Sequence, residues 1–376
     1  MVAFRANMGV DPIDYASSGV DIDAEGKAIS SLIGALGNSV RKSGQKGAPV
    51  PLPGGFGGIV EFGDSRLVLA TDGVGSKLQI ASQTGWLRGV GIDCIAMNVN
   101  DLICVGAEPI AFVDYIAVPK TDPTVHAELG HSLTEGCRQA RVTLAGGETA
   151  TLPGIVTELD LSGTALGWFP EGGEITGERL QVGDAIIGLP SSGIHSNGYT
   201  LVRAVLERSG LSLNDSAPFE VETGRIERWM EGDLTIGEVL LNPTMIYVDP
   251  VIDLVLACRE GNGPCSSEDI KAIAHITGGG LSNLLRLHEA LGWHIDDPLT
   301  VHPEFSWIAD VGPVDSREMH RTFNMGMGMV IAVSDGVSDD VEKWLAERLA
   351  GTRRVGSVTD SGKVTHADSE VFFDHY

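Results

Sequence analysis

The sequence predicts a mixed α/β (α+β) protein of two domains. The chain has 376 residues, which is long for a single domain. Apolar runs of strand length alternate with segments of helical spacing, in one block before about residue 172 and in another block after it. Residues 169–178 lie between the blocks and contain a Gly-Gly pair and several acids. We therefore expect domains at 1–172 and 173–376.

In the first block, the apolar residues after Asp23 have helical spacing, which predicts a helix that ends at Gly37. A loop rich in Gly and Pro follows at 44–58. The other predicted elements of this block are strands at 58–62, 67–70, 110–118 and 161–168 and helices at 92–103 and 126–140.

In the second block, a pattern of strand, loop and helix repeats. Residues 212–237 are polar and without periodicity, which indicates a surface excursion. The predicted elements are strands at 185–189, 270–276 and 327–333, helices that begin at Tyr199 and Leu281, and a helix at 341–349.

Charge and cysteine content exclude several classes of protein. The formal net charge is −25, from 51 acidic and 26 basic side chains, so we expect no binding to nucleic acid or anionic membranes. The five cysteines form no CxxC pair, which predicts reduced thiols and a cytoplasmic protein. No run of 18 apolar residues is present, so we expect no membrane-spanning helix.

A loop directly after the apolar run 67–70 is a candidate phosphate-binding segment. Two glycines, a lysine and a hydroxyl are typical of phosphate binding, but Asp72 would repel phosphate oxygens unless a divalent cation lies between them. The loop therefore indicates Mg²⁺ with a nucleotide, although it is not a Walker A motif. The alternative is a polar turn. The candidate ATP- or phosphate-binding residues of this loop are Thr71, Asp72, Gly73, Gly75 and Lys77.

Other short motifs fit a polyphosphate–metal site. The glycine loop before the first strand offers backbone amides at Gly55, Gly57 and Gly58, although a flexible loop is an equal alternative. The helix at 92–103 carries short acidic and amide side chains on one face, where a solvated helix usually has Glu and Lys. These side chains are Asp93, Met97, Asn100 and Asp101. Seven helical residues rise about 10.5 Å, so Asp93 and Asn100 do not share one ion.

A Gly-Gly pair presents one carboxylate in the motif Ala145-Gly146-Gly147-Glu148-Thr149-Ala150. Glu148 is a candidate metal ligand or base, and a simple turn residue is the alternative. Because the motif contains only one acidic residue, the sequence leaves these alternatives open.

Two histidines in the second block lie beside loop-to-helix junctions, where free N–H groups favour anions. His195 and Asn197 lie in the loop 191–198, and His275 precedes a triple-glycine loop. A lone histidine is usually structural, but two in this setting favour acid–base chemistry. Gly278 and Gly279 are further candidate phosphate contacts. No Ser-His-Asp triad, zinc-ligand spacing or Rossmann GxGxxG motif is present, which argues against covalent hydrolysis and NAD chemistry.

In chain order, the motifs resemble the phosphoribosylformylglycinamidine cyclo-ligase (aminoimidazole ribonucleotide synthetase) family of purine biosynthesis. The resemblance covers about residues 15–358. The motifs that carry it are Gly19-Val20-Asp21-Ile22-Asp23, the loop 71–77, Gly91–Met97 with Asn100-Asp101-Leu102, Gly106-Ala107-Glu108-Pro109, Gly146–Ala150 with Pro153-Gly154, and the segments 191–199, 275–280 and 321–329.

The resemblance implies an N-terminal sheet that forms a barrel across a homodimer interface and a C-terminal α/β domain over the active-site cleft. It implies ATP and Mg²⁺ as requirements and formylglycinamidine ribonucleotide as the substrate, which closes to an imidazole through an O-phosphorylated amide. Position by position, it assigns metal and phosphates to Asp72, Asp93, Asp101 and Glu148, charge neutralisation to Lys77, and the substrate side to His195, Asn197 and His275, with His275 as the proton-transfer group.

The chain departs from the family pattern at two places. Met245 stands where a basic residue usually follows Pro-Thr, and Ile33-Gly34 stands where the first helix often has a lysine. Three alternatives remain on the same scaffold: a thiamine monophosphate kinase, a selenophosphate-type synthetase and a non-catalytic maturation factor. The first lacks the motifs at 191–199 and 321–324 in this form, the second needs a cysteine before Cys94, and the third has a cysteine tail.

Overall fold

The computed structural model describes residues 13–15, 17–20, 22–35, 41–52, 55–222 and 224–376. In the N-terminal part, helices α1 to α4 are Ile22–Ala35, Lys77–Thr84, Val90–Cys104 and Pro123–Ala140. Strands β1 to β6 are Pro49–Val50, Gly58–Phe62, Ser65–Gly73, Glu108–Val118, Thr143–Thr151 and Asp160–Pro170.

In the C-terminal part, helices α5 to α10 are Tyr199–Ser209, Ile236–Leu240, Val248–Arg259, Pro303–Val311, Ser316–Thr322 and Ser338–Ala346. Strands β7 to β13 are Ala185–Pro190, Ile270–His275, Gly292–Ile295, Met327–Val333, Arg353–Thr359, Val364–His366 and Phe372–Phe373. Short 3-10 helices lie at Ser267–Asp269, Gly280–Arg286 and Asp335–Val337.

The N-terminal sheet has the strand order β1-β2-β3-β6-β4-β5, and α3 packs on one of its faces. Alternation along β6 buries Leu161, Ala165 and Phe169 on the helix side. Gly167 lets the helix approach closely, because a Cβ at this position would lie 3.0 Å from Ala107 Cβ and 3.1 Å from Leu102 Cδ1. The opposite face of the sheet carries exposed apolar side chains, which are Leu69, Val113 and Tyr115.

The C-terminal sheet has the order β13-β12-β9-β11-β7-β10-β8, and all seven residues of β10 are buried. β10 is antiparallel to both β7 and β8, so these two strands run in the same direction on either side of it. Their C-terminal ends therefore lie at one edge of the sheet. The loops 191–198 and 276–279 begin at this edge, which brings the two candidate histidines to one place.

The structure confirms the mixed α/β class, its two sheets and most of the predicted elements. The helix predicted from Leu281 is present, but as a 3-10 helix that begins at Gly280. Gly279 has a left-handed backbone conformation, and the Asn283 side chain donates hydrogen bonds to Gly278 O and Gly280 O. Both features favour the tighter turn of a 3-10 helix. Of the alternatives left open for Glu148, the turn residue does not apply, because its motif is part of β5.

Several features of the chain were not predicted or lie outside the description. The short strands β9, β11 and β12 carry no clear alternation in the sequence. The predicted first helix is present as α1, but its predicted stop at Gly37 lies outside the described residues. In the part of the chain that the structure describes, no helix is long and apolar enough to cross a membrane. The domain boundary at 172/173 stays a prediction.

Candidate active site

Helix α3 lies between the two sheets and positions most of the polar side chains of the site. It packs against β3 and β6 on one side and against β8 and α7 on the other. Its predicted acidic face is therefore not solvated: Asp93 and Asn100 have no exposed surface. Only Asp101, near the end of the helix, keeps part of its carboxylate accessible, with 23% of its side chain exposed.

Lys77 and Asp93 form a buried ion pair in the contact between the N- and C-terminal parts. Lys77 Nζ lies 2.9 Å from Asp93 Oδ1 and also donates to the carbonyl oxygens of His195 (3.0 Å) and Asn242 (2.8 Å). Asp93 Oδ1 accepts two further bonds, from the backbone N and the hydroxyl of Thr244, at 2.7 and 2.6 Å. The pair therefore joins α2 and α3 to the loops 191–198 and 242–244.

This arrangement argues against the phosphate role predicted for Lys77 and the metal role predicted for Asp93. The three ammonium protons of Lys77 are matched by three acceptors, and burial lowers the pKa of Lys77 although Asp93 opposes the shift. Asp93 Oδ2 is buried and has no partner among the described residues, but it is enclosed by protein. Both side chains stabilise the contact between the two parts.

Asn100 likewise binds protein groups of the second part. Its amide nitrogen donates to Met245 O at 2.9 Å, and its amide oxygen accepts from Tyr247 N at 3.0 Å. Asp93 thus holds one end of the segment 243–247 against α3, and Asn100 holds the other end. Asn100 has no exposed side-chain surface in this arrangement, which argues against the predicted contact with ATP.

His275 and Asp101 form a hydrogen-bonded pair at the end of β8. His275 Nδ1 lies 3.0 Å from Asp101 Oδ1, and His275 Nε2 lies 3.4 Å from the amide nitrogen of Asn100. An ionised carboxylate only accepts hydrogen bonds, so Nδ1 carries the proton and Nε2 keeps its lone pair. The carboxylate thereby fixes the tautomer that suits a general base. The imidazole is buried, and Asp101 is the accessible member of the pair.

His195 occupies a strained position in the loop after β7. Its backbone is left-handed, with φ +65°, and its Nε2 accepts from Ser192 N at 3.2 Å. Its Nδ1 is buried without a partner among the described residues. Burial lowers the pKa of His195 well below its usual value, and the positive charges near it act in the same direction. The ring is therefore neutral at pH 7. Because Nε2 accepts a hydrogen bond, Nδ1 carries the proton, and this buried N–H has no acceptor among the described residues.

The loop that carries His195 is anchored by side chains from three other segments. Arg225 donates to Ser192 O at 2.8 Å and forms a two-bond ion pair with Glu304, also at 2.8 Å. Asn242 donates to the same carbonyl at 2.6 Å, and Asn324 donates to Gly193 O at 2.8 Å. Arg225 comes from the segment interpreted as a surface excursion, so that interpretation was incomplete. The sequence pattern did not predict this role of Arg225, because the residues that it contacts lie far away in the sequence.

Asp72 lies at the end of β3, on the side of the sheet that faces α3. Asp72 has exposed surface as a residue, but burial of its carboxyl group raises its pKa to about 6, and the negative charge of Asp101 contributes to the increase. One oxygen accepts from Gly73 N at 2.7 Å. Two carboxylates that repel each other in this way form a donor set that suits a divalent cation.

Glu148 does not join these acids within one chain. It pairs with Tyr115 across β4 and β5, while Gly147 pairs with Asp114, so the two neighbours point to opposite faces of the sheet. A Cβ at Gly147 would overlap the Asp114 carboxylate, which places Gly147 on the helix side. Glu148 therefore lies on the outer face. Among the described residues, no group of three His, Cys, Asp or Glu side chains is arranged to hold a metal ion.

The two predicted glycine loops are joined by Arg286. Its guanidinium donates to Gly55 O at 3.0 Å and lies 4.3 Å from the ring centroid of Phe56 and 5.1 Å from that of Tyr376. Asn283, which bonds Gly278 O, lies 3.4 Å from Arg286. The remaining predicted glycines lie nearby in sequence or space: Gly57 and Gly58 at the start of β2, Gly75 with φ +70° before α2, Gly278 against Asn197, and Gly279 under Tyr376.

Comparison with protein families agrees with the two-part organisation. Residues 54–169 match the model of the AIR synthase related protein, N-terminal domain, and residues 181–369 match that of the C-terminal domain. A phosphoribosylformylglycinamidine cyclo-ligase of Methanosarcina mazei is 43% identical over 350 residues, which cover 93% of this chain and 96% of the relative. That of Methanocaldococcus jannaschii is 40% identical over 353 residues, 94% of each chain.

The chain belongs to the phosphoribosylformylglycinamidine cyclo-ligase family. Solved structures of two proteins with other names share the fold at lower identity. A thiamine-monophosphate kinase from Stenotrophomonas maltophilia has a TM-score of 0.55 and 17% identity, and covers 91% of this chain and 95% of its own. Hydrogenase maturation protein HypE in complex with ATP has a TM-score of 0.55 and 16% identity, over 93% and 92%. These likenesses show the fold alone.

One departure from the cyclo-ligase family pattern has a structural setting. Met245 lines a cavity of ≈ 360 Å³ that Arg225, Asn242 and Thr244 also line. Arg225 thus supplies a guanidinium at the cavity beside Met245, where the resemblance led us to expect a basic residue after Pro-Thr. Its charge is balanced by Glu304, which has no exposed side-chain surface.

Proposed function

We propose that the protein is an ATP-dependent cyclo-ligase of purine biosynthesis. It converts formylglycinamidine ribonucleotide to 5-aminoimidazole ribonucleotide and releases ADP and phosphate. The observation that carries the proposal is the similarity to curated cyclo-ligases at about 40% identity over more than nine-tenths of the chain. The convergence of His195, His275, Asp72 and Asp101 at the contact between the two parts supports it.

The chemistry explains why ATP is consumed. An amide oxygen is a poor leaving group, so the formyl oxygen of the substrate is first phosphorylated. The amidine nitrogen then attacks the same carbon, phosphate leaves, and the ring closes. In this scheme the nitrogen must lose a proton as the new bond forms, which calls for a base beside the reacting carbon.

The Asp101–His275 pair suits that proton transfer. Asp101 holds Nδ1–H of His275, so Nε2 is the basic atom. Because the imidazole is buried between α3 and β8, substrate reaches it only when this contact opens. Neutral His195, with its unpartnered Nδ1, is suited to a hydrogen bond with substrate rather than to neutralising phosphate. Asn197, beside Gly278, is proposed to bind substrate with it.

Mg²⁺ would be held by Asp72 and Asp101, whose mutual repulsion it would relieve, and it would neutralise the phosphates of ATP there. Asp93 is committed to Lys77 and Thr244 and is not part of this set. The homodimer belongs to the proposal as well. The exposed apolar face of the N-terminal sheet suits a second copy of the chain, and Glu148 lies on that face.

The deciding experiment supplies the purified protein with formylglycinamidine ribonucleotide, ATP and Mg²⁺. The expected result is aminoimidazole ribonucleotide and ADP in equal amounts, with no ADP when the substrate is omitted. ADP without a ring product would favour a kinase or another synthetase of the same fold. Thiamine monophosphate, offered in place of the substrate, is the matched control and should give no ADP.

A further inference from the structure

Two cysteines outside the proposed active site lie in direct contact. Cys258 is in the last turn of α7, and Cys265 is in the connection between α7 and β8. Their sulfur atoms are 3.5 Å apart, within the range of a thiol hydrogen bond. Cys258 is buried, while Cys265 is half-buried, so small solutes in the solvent can reach the pair from the side of Cys265.

The connection between the two cysteines is folded so that it holds them together. Asn262 N donates to Ala257 O at 2.8 Å, and Gly261, with φ +75°, turns the chain back over the helix end. Gly263 packs directly on Cys258: a Cβ at this position would lie 2.5 Å from Cys258 Sγ and 2.7 Å from its backbone nitrogen. The contact between the sulfurs is therefore built by the backbone and does not depend on one flexible side chain.

The electrostatic setting separates this pair from the other three cysteines. Burial raises the pKa of Cys94 and Cys104 well above the usual value and that of Cys137 to about 11, so these thiols stay protonated. The hydrogen bond from the thiol of Cys265 instead lowers the pKa of Cys258 to about 7, against the effect of burial. The contact therefore favours ionisation of Cys258 next to a second thiol whose own pKa is raised.

We propose that Cys258 and Cys265 form a redox-active dithiol that hydrogen peroxide converts into an intramolecular disulfide. The Cys258 thiolate attacks one peroxide oxygen, the O–O bond breaks, and hydroxide leaves, so Cys258 becomes a sulfenic acid. Cys265 Sγ then attacks Cys258 Sγ, the S–O bond breaks, and its proton leaves with the hydroxyl group as water. Peroxide gains the two electrons that the thiols lose. A dithiol reductant reverses the step by thiol–disulfide exchange.

The experiment uses the full chain. The wild-type protein is treated with a slight excess of hydrogen peroxide, the remaining thiols are alkylated, and the proteolytic peptides are identified by mass spectrometry. The expected result is that alkylated cysteines fall from five to three and that a peptide linked through 258 and 265 has lost two hydrogen atoms. Dithiothreitol should restore all five. Five alkylated cysteines after treatment, or oxidation elsewhere, would overturn the proposal.

Matched variants separate the pair from a single reactive thiol. Cys265→Ser should lose the disulfide, and Cys258 should pass on to a sulfinic acid that dithiothreitol does not reduce. Cys137→Ser should form the same disulfide as the wild type. Because the wild-type measurement needs no variant, poor folding of a variant does not weaken the test. A disulfide that includes Cys94, Cys104 or Cys137 would contradict the assignment.

Discussion

Lys77 and Asp93 form an ion pair of 2.9 Å in which neither side chain has any exposed surface. One residue begins α2 and the other lies in the first turn of α3, and their remaining partners belong to the second part of the chain. Two residues that sequence motifs assign to ATP and metal binding thus hold the two parts together.

Removal of one partner of this pair should destabilise the fold. Asp93→Asn is expected to lower the free energy of unfolding by about 3–5 kcal/mol, because it leaves a buried ammonium without its counter-charge. Urea titration monitored by circular dichroism measures the change. The double variant Lys77→Met/Asp93→Leu should lose much less stability than the sum of the losses in Lys77→Met and Asp93→Leu. Arg88 and Glu128 provide the exposed control pair, and Glu128→Gln should change stability little. Equal losses at both pairs would contradict the prediction.

Replacement of His275 should lower turnover without unfolding the protein. His275→Ala removes the proposed base and is expected to reduce kcat by about 10²–10⁴-fold. Asp101→Asn should also reduce kcat, since an amide oxygen holds Nδ1–H less strongly than a carboxylate does. The assay is the ring-closure reaction, and the urea midpoint serves as the folding control. Near-normal turnover of His275→Ala would rule out the proposed role.

Arg225 should act on catalysis through the loop that carries His195. Arg225→Ala removes the bond to Ser192 O and the pair with Glu304, so the loop loses an anchor. We expect kcat/KM to fall by about 10²-fold, the cost of a displacement near 1 Å at a reacting group. Arg228→Ala is the matched control: Arg228 lies in the same segment and pairs with Glu238, but it does not contact this loop. Similar losses in both variants would point to the segment as a whole.

Acid should weaken the fold through a pair of histidines on α9 and β12. His320 and His366 lie with ring centroids 4.7 Å apart, and burial, together with His320, lowers the pKa of His366 to about 4. The unfolded chain binds this proton near pH 6.5, so stability should fall as pH decreases from about 6.5 to about 4, by up to about 3 kcal/mol. Urea midpoints over this range measure the effect. His366→Gln should flatten the curve; an unchanged slope would refute the assignment.

A charge on the outer face of the N-terminal sheet should prevent dimer formation. Val113, with 42% of its surface exposed, lies in the middle of β4, and Val113→Lys would bring two like charges together in a symmetric interface. Size-exclusion chromatography with light scattering should show a dimer for the wild type and a monomer for the variant. Val182→Lys, at an apolar residue with 60% exposure in the other part of the chain, should stay dimeric.

The sequence predicted the fold class and the identity of many polar residues at the site because both depend on local patterns. Apolar alternation and helical spacing reflect burial within one element, and glycine loops mark where the backbone turns. The order of strand, loop and helix also explains why the loops of His195 and His275 begin at one edge of the sheet. It does not predict that β10 lies between β7 and β8. The family resemblance added the expected reaction.

The sequence did not predict which polar residues face solvent. Asp93 and Asp101 lie on the same predicted face of α3. The Asp93 carboxylate is nevertheless enclosed by Thr244 and Lys77, whereas the Asp101 side chain is partly exposed to solvent. That difference comes from segments more than 140 residues away in the chain. The face on which Glu148 lies was not predicted for a related reason: a one-residue change of strand register reverses the face of the sheet, and glycine-rich β5 carries no alternation to reveal it.

Helix α3 packs against elements of both sheets. Its surface completes the packing of β3 and β6 and also that of β8 and α7, and it carries the buried charge of Asp93. If the second part melted alone, Lys77 and Asp93 would lose their other partners and the apolar side of α3 would meet water. Heat should therefore unfold both parts in one transition. Neither residues 54–169 alone nor residues 181–369 alone should be as stable as the whole chain.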